Sequence, residues 1–196
     1  MTLRQLAAAS IFVLATTTGC SSMSHGDPKN PKKNPHPVQR YEVIATADAP
    51  GSWDSVKGHI SYDVVNPECT PEDKFLGVHA LPQDVGHDIE MTRADERTWK
   101  GYFYRDFVQD EDYYGLGLCH WDVTQASPVF TSHGSNFVPG SGIENVKPYV
   151  EFFKKSDFLN HSLTDVGYGT TPTDPEIALH PSAFFAITVT VKEAMP

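Results

Sequence analysis

The chain has 196 residues, 39% of them hydrophobic and 20% charged, with 15 basic against 25 acidic side chains and a net charge of −10. From Tyr41 onward ten basic residues face 24 acidic ones, so this part carries a net charge near −14. A surface of that sign excludes nucleic acid as a natural partner and favours a cationic one, whose capture it speeds.

The N-terminus reads MTLRQLAAASIFVLATTTGC, with one base at Arg4, an apolar run over Leu6 to Ala15, and Thr17, Thr18 and Gly19 before Cys20. That order is a secretory signal peptide over residues 1–19. Its apolar run is too short to span a bilayer, which takes about 20 residues, and no later stretch is long enough either. The small residues before Cys20 resemble a bacterial lipobox, which implies acylation of Cys20 and cleavage on its amino side. Ser21, where an inner-membrane lipoprotein would carry Asp, implies sorting to the outer membrane. Residues 20–40 hold four prolines and four Lys or Arg with almost no apolar side chain, the composition of a tether. Pro-rich sequence extends at about 3.1 Å per residue, a reach of roughly 60 Å.

Residues 41–196 form one β-rich domain. Alternating apolar and polar residues, rich in β-branched and aromatic types, predict strands at 41–47, 59–65, 74–81, 88–93, 98–107, 113–124, 127–133 and 184–193. RADER (93–97) and VQDED (108–112) read as hairpin connections. In FFAITVTVKE, Phe185, Ile187, Val189 and Val191 share one face, as expected of a strand buried on one side. Short strands without interleaved helices fit an all-β, sandwich-like domain, an immunoglobulin-like arrangement among the candidates. The stretch from Asn160 to Pro181 has no periodicity and reads as a long loop.

Of three cysteines, Cys20 goes to lipid, leaving Cys69 and Cys119. In an oxidising compartment this pair is expected as a disulfide; without CxxC spacing it makes neither a redox motif nor a zinc ribbon. The stretch CHW places His120 on one face of a strand and Cys119 with Trp121 on the other. The densest acidic cluster holds Asp106, Asp110, Glu111 and Asp112 beside Tyr113 and Tyr114. Acids among aromatics at a loop tip suit a protein interface, with the aromatics as anchors and the charges as guides. A solvated turn has the same composition.

No G-x-S-x-G, S-x-x-K or H-E-x-x-H occurs. His133, near Ser135 in SHGSNFVPGSG, sits in loop-forming sequence and not in a catalytic arrangement. His79, His87, His120, His133, His161 and His180 lack the spacing of a ligand set, and the acidic cluster lacks the D-x-D-x-D-G pattern of a calcium loop. The sequence therefore points to no catalytic residues, metal or cofactor.

Around YYGLGLCHWDV, with QDED and TWKGYFYRD before it, the chain resembles small proteobacterial lipoproteins encoded beside secreted antibacterial effectors, often of phospholipase or lipase type. The resemblance implies a periplasmic immunity protein that blocks an effector delivered through a type VI or type IV secretion system. It covers the signal, the tether and about 30 residues around Cys119. The competing expectations are an envelope lipoprotein that binds a small ligand, sugar or metal, a structural lipoprotein, and an enzyme without a recognised motif. The anchoring expectation is checked by Cys20→Ala. Wild type should incorporate labelled palmitate and fractionate with membranes, and the variant should do neither; identical fractionation of the two in detergent-free buffer would refute lipidation.

Overall fold

The computed structural model describes residues 25–140, 147–160 and 166–194. The signal, Cys20 and His161 lie outside the described residues. Among the described residues no helix is long and apolar enough to cross a membrane.

In chain order the strands are β1 (Arg40–Ala47), β2 (Ser55–Val64), β3 (Glu72–Asp73), β4 (Val78–His79), β5 (Val85–Glu90), β6 (Thr92–Arg93), β7 (Thr98–Tyr104), β8 (Trp121–Ser132), β9 (Ser135–Val138), β10 (Tyr149–Lys154), β11 (Val166–Tyr168) and β12 (Phe184–Glu193). Among the described residues there are also two one-turn helices, α1 (Lys155–Leu159) and α2 (Pro175–Leu179), and two 3₁₀ turns. One sheet has the order β10-β12-β1-β7-β6 and the other β11-β9-β8-β2-β5, while β3 and β4 pair only with each other. The two large sheets pack face to face, and the domain is an all-β sandwich.

Period-two burial explains the long strands. In β12 Phe185, Ile187, Val189 and Val191 are buried as the alternation predicts, and β1 pairs with β12 from Tyr41↔Glu193 to Ala47↔Ile187. Between the sheets lies an aromatic core. Trp99 of β7 meets Phe130 of β8 edge-on, with ring centroids 5.4 Å apart, and Phe137 of β9 packs on Phe153 and Phe185 at 5.7 and 5.8 Å. Trp53 wedges against Phe130 and Phe137. Such rings bury large areas and prefer these tilted contacts. A single hydrogen bond, Tyr62 hydroxyl to the Tyr104 carbonyl at 2.8 Å, also ties β2 to β7 across the core.

The region predicted as one strand over 88–93 divides. β5 pairs with β2 and β6 with β7, so the chain changes sheets at Met91. Two glycines make room for the corner. A Cβ at Gly58 would lie 2.6 Å from Ile89 Cγ1, and one at Gly101 would lie 2.5 Å from Met91 Sδ and 3.0 Å from the Glu90 carbonyl. At the opposite edge Phe152 and Thr170 exchange backbone hydrogen bonds of 2.9 Å, which joins β10 to the segment following β11 and covers edges that would otherwise invite pairing.

Three further expectations are corrected. The RADER connection is a hairpin joining β6 to β7, but VQDED is not one, because β7 and β8 belong to different sheets. Residues 105–120 instead cross one end of the sandwich. The predicted strand over 74–81 is a tight turn flanked by β3 and β4, and the one over 113–124 is strand only from Trp121. β9, β10, β11 and the two short helices were not foreseen. Of these β9 is reached through a two-residue turn in which His133 (φ 48°) and Gly134 (φ 80°) both take left-handed backbone, as tight hairpins prefer.

Cys69 and Cys119 are joined by a disulfide with Cα atoms 5.3 Å apart, and both are buried. The bridge closes a loop of 50 residues, which in the chain-entropy account stabilises the fold by about 4 kcal/mol. Replacing both cysteines by serine should lower the unfolding free energy by about 2–4 kcal/mol in denaturant titrations, and non-reducing peptide mapping of the parent should recover both residues in one linked peptide. An unchanged denaturation midpoint would show that the bridge contributes nothing.

Candidate functional site

The crossover 105–120 carries all the acids and tyrosines singled out in the sequence. Having left the sheets, its backbone groups need other partners, and the segment read as a tether supplies many of them. Lys33 and Val108 form an antiparallel bridge. The N–H of Asn34 donates to the Phe107 carbonyl at 2.7 Å, that of Gln109 to Lys32 at 2.8 Å, and that of Gly26 to Asp112 at 2.9 Å. Farther along, Gln83 N–H donates to the Pro28 carbonyl at 2.9 Å. Residues 26–40 therefore lie along the domain as a strap. Pro31 and Pro35 favour extended backbone around Lys33, the conformation that the bridge requires, while Pro28 sits in a turn closed by the Asn30 N–H on the Asp27 carbonyl at 3.1 Å.

The acidic side chains hold this arrangement together. Asp106 accepts from the N–H groups of Val38 and Gln39, at 2.9 Å each, and from the Asn34 side-chain amide. Asp110 accepts from the Trp121 N–H at 3.0 Å and lies 2.6 Å from His120 Nδ1. Glu111 is bound by Lys32 of the strap at 2.6 Å with only 12% of its side chain exposed, and its second oxygen is buried without a hydrogen-bond partner among the described residues. Asp112 accepts from the N–H groups of Tyr114 and Gly115. Partial desolvation works to raise the Asp112 carboxyl, but these donors and nearby His25 outweigh it and hold the group below its ordinary range.

Of the aromatics, Tyr113 is buried at 4% exposure and its hydroxyl accepts from the Trp121 indole N–H at 3.1 Å. Burial pushes that hydroxyl upward in pKa. Tyr114 is partly buried against the core. The side chains expected to meet a partner thus mostly serve the crossover itself, and Asp110, 41% exposed, remains the most open of them. Sequence could not show this, because an acid that caps a loop and an acid that guides a partner have the same local pattern.

The crossover, the strap and the start of β8 line an open polar pocket of about 500 Å³, with Gln39, Arg105, Asp106, Asp110, Trp121 and Asp122 among its walls. Its carboxylates are engaged within the chain, for Arg105 and Asp122 form a two-pronged ion pair. The histidines are dispersed. His87 stacks on Phe107 at 4.2 Å, His79 lies by Thr70, His120 by Asp110, His133 in the β8–β9 turn, and His180 at the end of α2. Among the described residues no three His, Cys, Asp or Glu side chains are grouped to hold a metal ion.

A different surface stands out. Among the described residues thirteen large apolar side chains are exposed, and seven of them lie in two short stretches: Val65, Phe75, Leu76, Val78 and Leu81 in one, Leu116 and Leu118 in the other. Clustering of this kind marks interaction surfaces, where scattered exposure would not. The two stretches share one anchor. Besides the disulfide, Asn66 donates its amide to the Leu118 carbonyl at 2.9 Å and accepts from the His120 N–H at 2.6 Å. Val65 N–H donates to the His120 carbonyl at 2.9 Å. Within residues 65–84 the exposed acids are Glu68, Glu72, Asp73 and Asp84, and the exposed Lys or Arg is Lys74. The clues to it in sequence were the Asp73 and Gly77 that bracket Lys74 to Leu76, and the Gly115-Leu-Gly-Leu118 run, both of which carry turn chemistry within apolar sequence.

Compared with protein-family models, with curated proteins and with solved structures, the chain matches none. The role assigned to Asp106 is open to direct test. Asp106→Ala removes the acceptor for two backbone N–H groups and should cost about 1–3 kcal/mol in stability, while limited proteolysis should cut residues 26–38 faster than in the parent. Equal cutting rates would show that the strap is held by other contacts.

Proposed function

We propose that this chain is a membrane-anchored protein of the periplasm that binds and inhibits an antibacterial effector enzyme, of lipase or phospholipase type, and so protects the cell that makes it. The observation that carries this reading is the apolar surface on the two disulfide-tied loops, set in a domain with a net charge near −14. Protein interfaces combine an apolar centre with a polar rim, and an acidic field captures a cationic partner quickly. A signal of lipobox type supports the placement, with Cys20 as the anchor on the outer membrane. The resemblance around YYGLGLCHWDV supports the class of partner.

The disulfide and hydrogen bonds that tie the loops fit inhibition by occupation, since a surface already ordered loses little entropy on binding. The alternative, an envelope lipoprotein for a small ligand or sugar, would place that ligand in the cavity beside Trp121. Asp106, Asp110 and Asp122 already spend their acceptors on the chain itself, which weighs against that reading.

Survival decides between them. Any secreted enzyme found encoded beside this chain's gene is expressed in the periplasm of a sensitive host with and without the full chain, and the purified pair is tested by pull-down. Protection together with a complex is expected, with an association rate that falls as salt screens the acidic surface. Unchanged killing and no complex would end the inhibitor reading and move the small-ligand alternative to first place.

A further inference from the structure

The β3–β4 turn has features beyond exposure. Phe75 is 94% and Leu76 65% exposed, yet the backbone beneath them is tightly organised. Asp73 Oδ1 accepts the N–H groups of Phe75 at 2.9 Å and Leu76 at 3.1 Å. The Gly77 N–H returns to the Asp73 carbonyl at 2.7 Å, and Gly77 supplies the left-handed backbone that closes the turn (φ 66°). At its foot Ala80 N–H donates to the Pro71 carbonyl at 2.9 Å, two residues from the Cys69 bridge. A local side-chain cap, a glycine and a covalent tie therefore hold a large aromatic and a leucine out in water.

We propose that the Lys74–Gly77 tip is the anchor of the inhibitory complex, and that Phe75 and Leu76 enter an apolar cleft with a basic rim on the partner enzyme. This rests on the inhibitor reading and adds the mode: the tip fills the cleft, while Leu116 and Leu118 cover its edge. Three arguments select a protein over other occupants. Aromatic side chains at the centre of an interface contribute most of its affinity when a pocket desolvates them, and Phe75 is the most exposed large apolar residue described. The exposed acids of the segment that carries the tip, Glu68, Glu72, Asp73 and Asp84 against Lys74, are repelled by the anionic head groups of a bilayer. A second copy of this chain would present the same charge, so association of like with like is opposed, whereas lysines and arginines around a cleft complete the acidic rim.

The test uses the full chain, with its signal and Cys20, in cells that also make the secreted enzyme identified by the survival assay above. A benzophenone amino acid replaces Phe75, or as a control Leu179, which is 72% exposed on α2. Irradiation should join position 75, and not 179, to the enzyme. In parallel, Phe75→Ser combined with Leu76→Ser should weaken the purified complex at least about 30-fold and abolish protection, while Leu179→Ser changes affinity less than about two-fold. Retention of the disulfide and of the parent's circular dichroism shows that the variants are folded. A protein adduct from 179 alone, or a double variant that binds like the parent, overturns the tip as anchor and leaves the inhibitor reading standing. Phospholipid adducts at 75 in place of protein overturn it in favour of the bilayer. Adducts to neither position with no protection by the parent overturn the tip and the inhibitor reading together.

Discussion

The arrangement outside the sheets follows from one constraint: β7 and β8 lie in different layers, so residues 105–120 must cross the end of the sandwich. A crossing segment has no strand beside it, and each of its buried N–H and C=O groups must find a partner or cost about 1–3 kcal/mol. The chain meets this demand from three directions. The strap 26–40 supplies backbone pairing, Asp110 and Asp112 supply short-range acceptors, and Asn66 with the Cys69 bridge fastens the far end. Acidity here is structural as much as electrostatic.

That same fastening shapes the candidate interface. Because Cys119 and Asn66 bind the end of the crossover to the segment after β2, the Leu116–Leu118 run and the β3–β4 hairpin rise from a common foot. Neither belongs to a large sheet, so neither has an apolar layer to bury against, and their side chains remain in water. A domain of this size has ample core elsewhere, with the rings of Trp53, Phe130, Phe137 and Phe185 packed between the sheets, so the exposed residues are not needed for folding. Stability is thus carried by residues other than the exposed ones, which is why substitutions at the proposed tip can be read for binding without unfolding the chain.

The strap also brings charge onto the crossover. Lys32 meets Glu111 and Lys33 lies 5.2 Å from the Phe107 ring, so basic residues of the strap neutralise part of the crossover. If Cys20 is acylated as proposed, the docked strap leaves a tether shorter than residues 20–40 and a correspondingly shorter reach from the membrane.

Local pattern alone determined the all-β class, the position of β1, the two faces of β12 and the likelihood of partners for Cys69 and Cys119, because period-two alternation and cysteine count are properties of neighbouring residues or of composition. Which sheet each strand joins was decided by tertiary structure. Nothing within DIEMTR marks the change of layer at Met91; the room for it comes from Gly58 and Gly101, 33 residues before and ten after. Likewise KFLGVHAL has the composition of a buried strand, and VQDED that of a hairpin turn. Whether Phe75 is covered or bare, and whether Asp106 faces a partner or the strap, depends on which distant segment arrives beside it, and burial is set by that arrival.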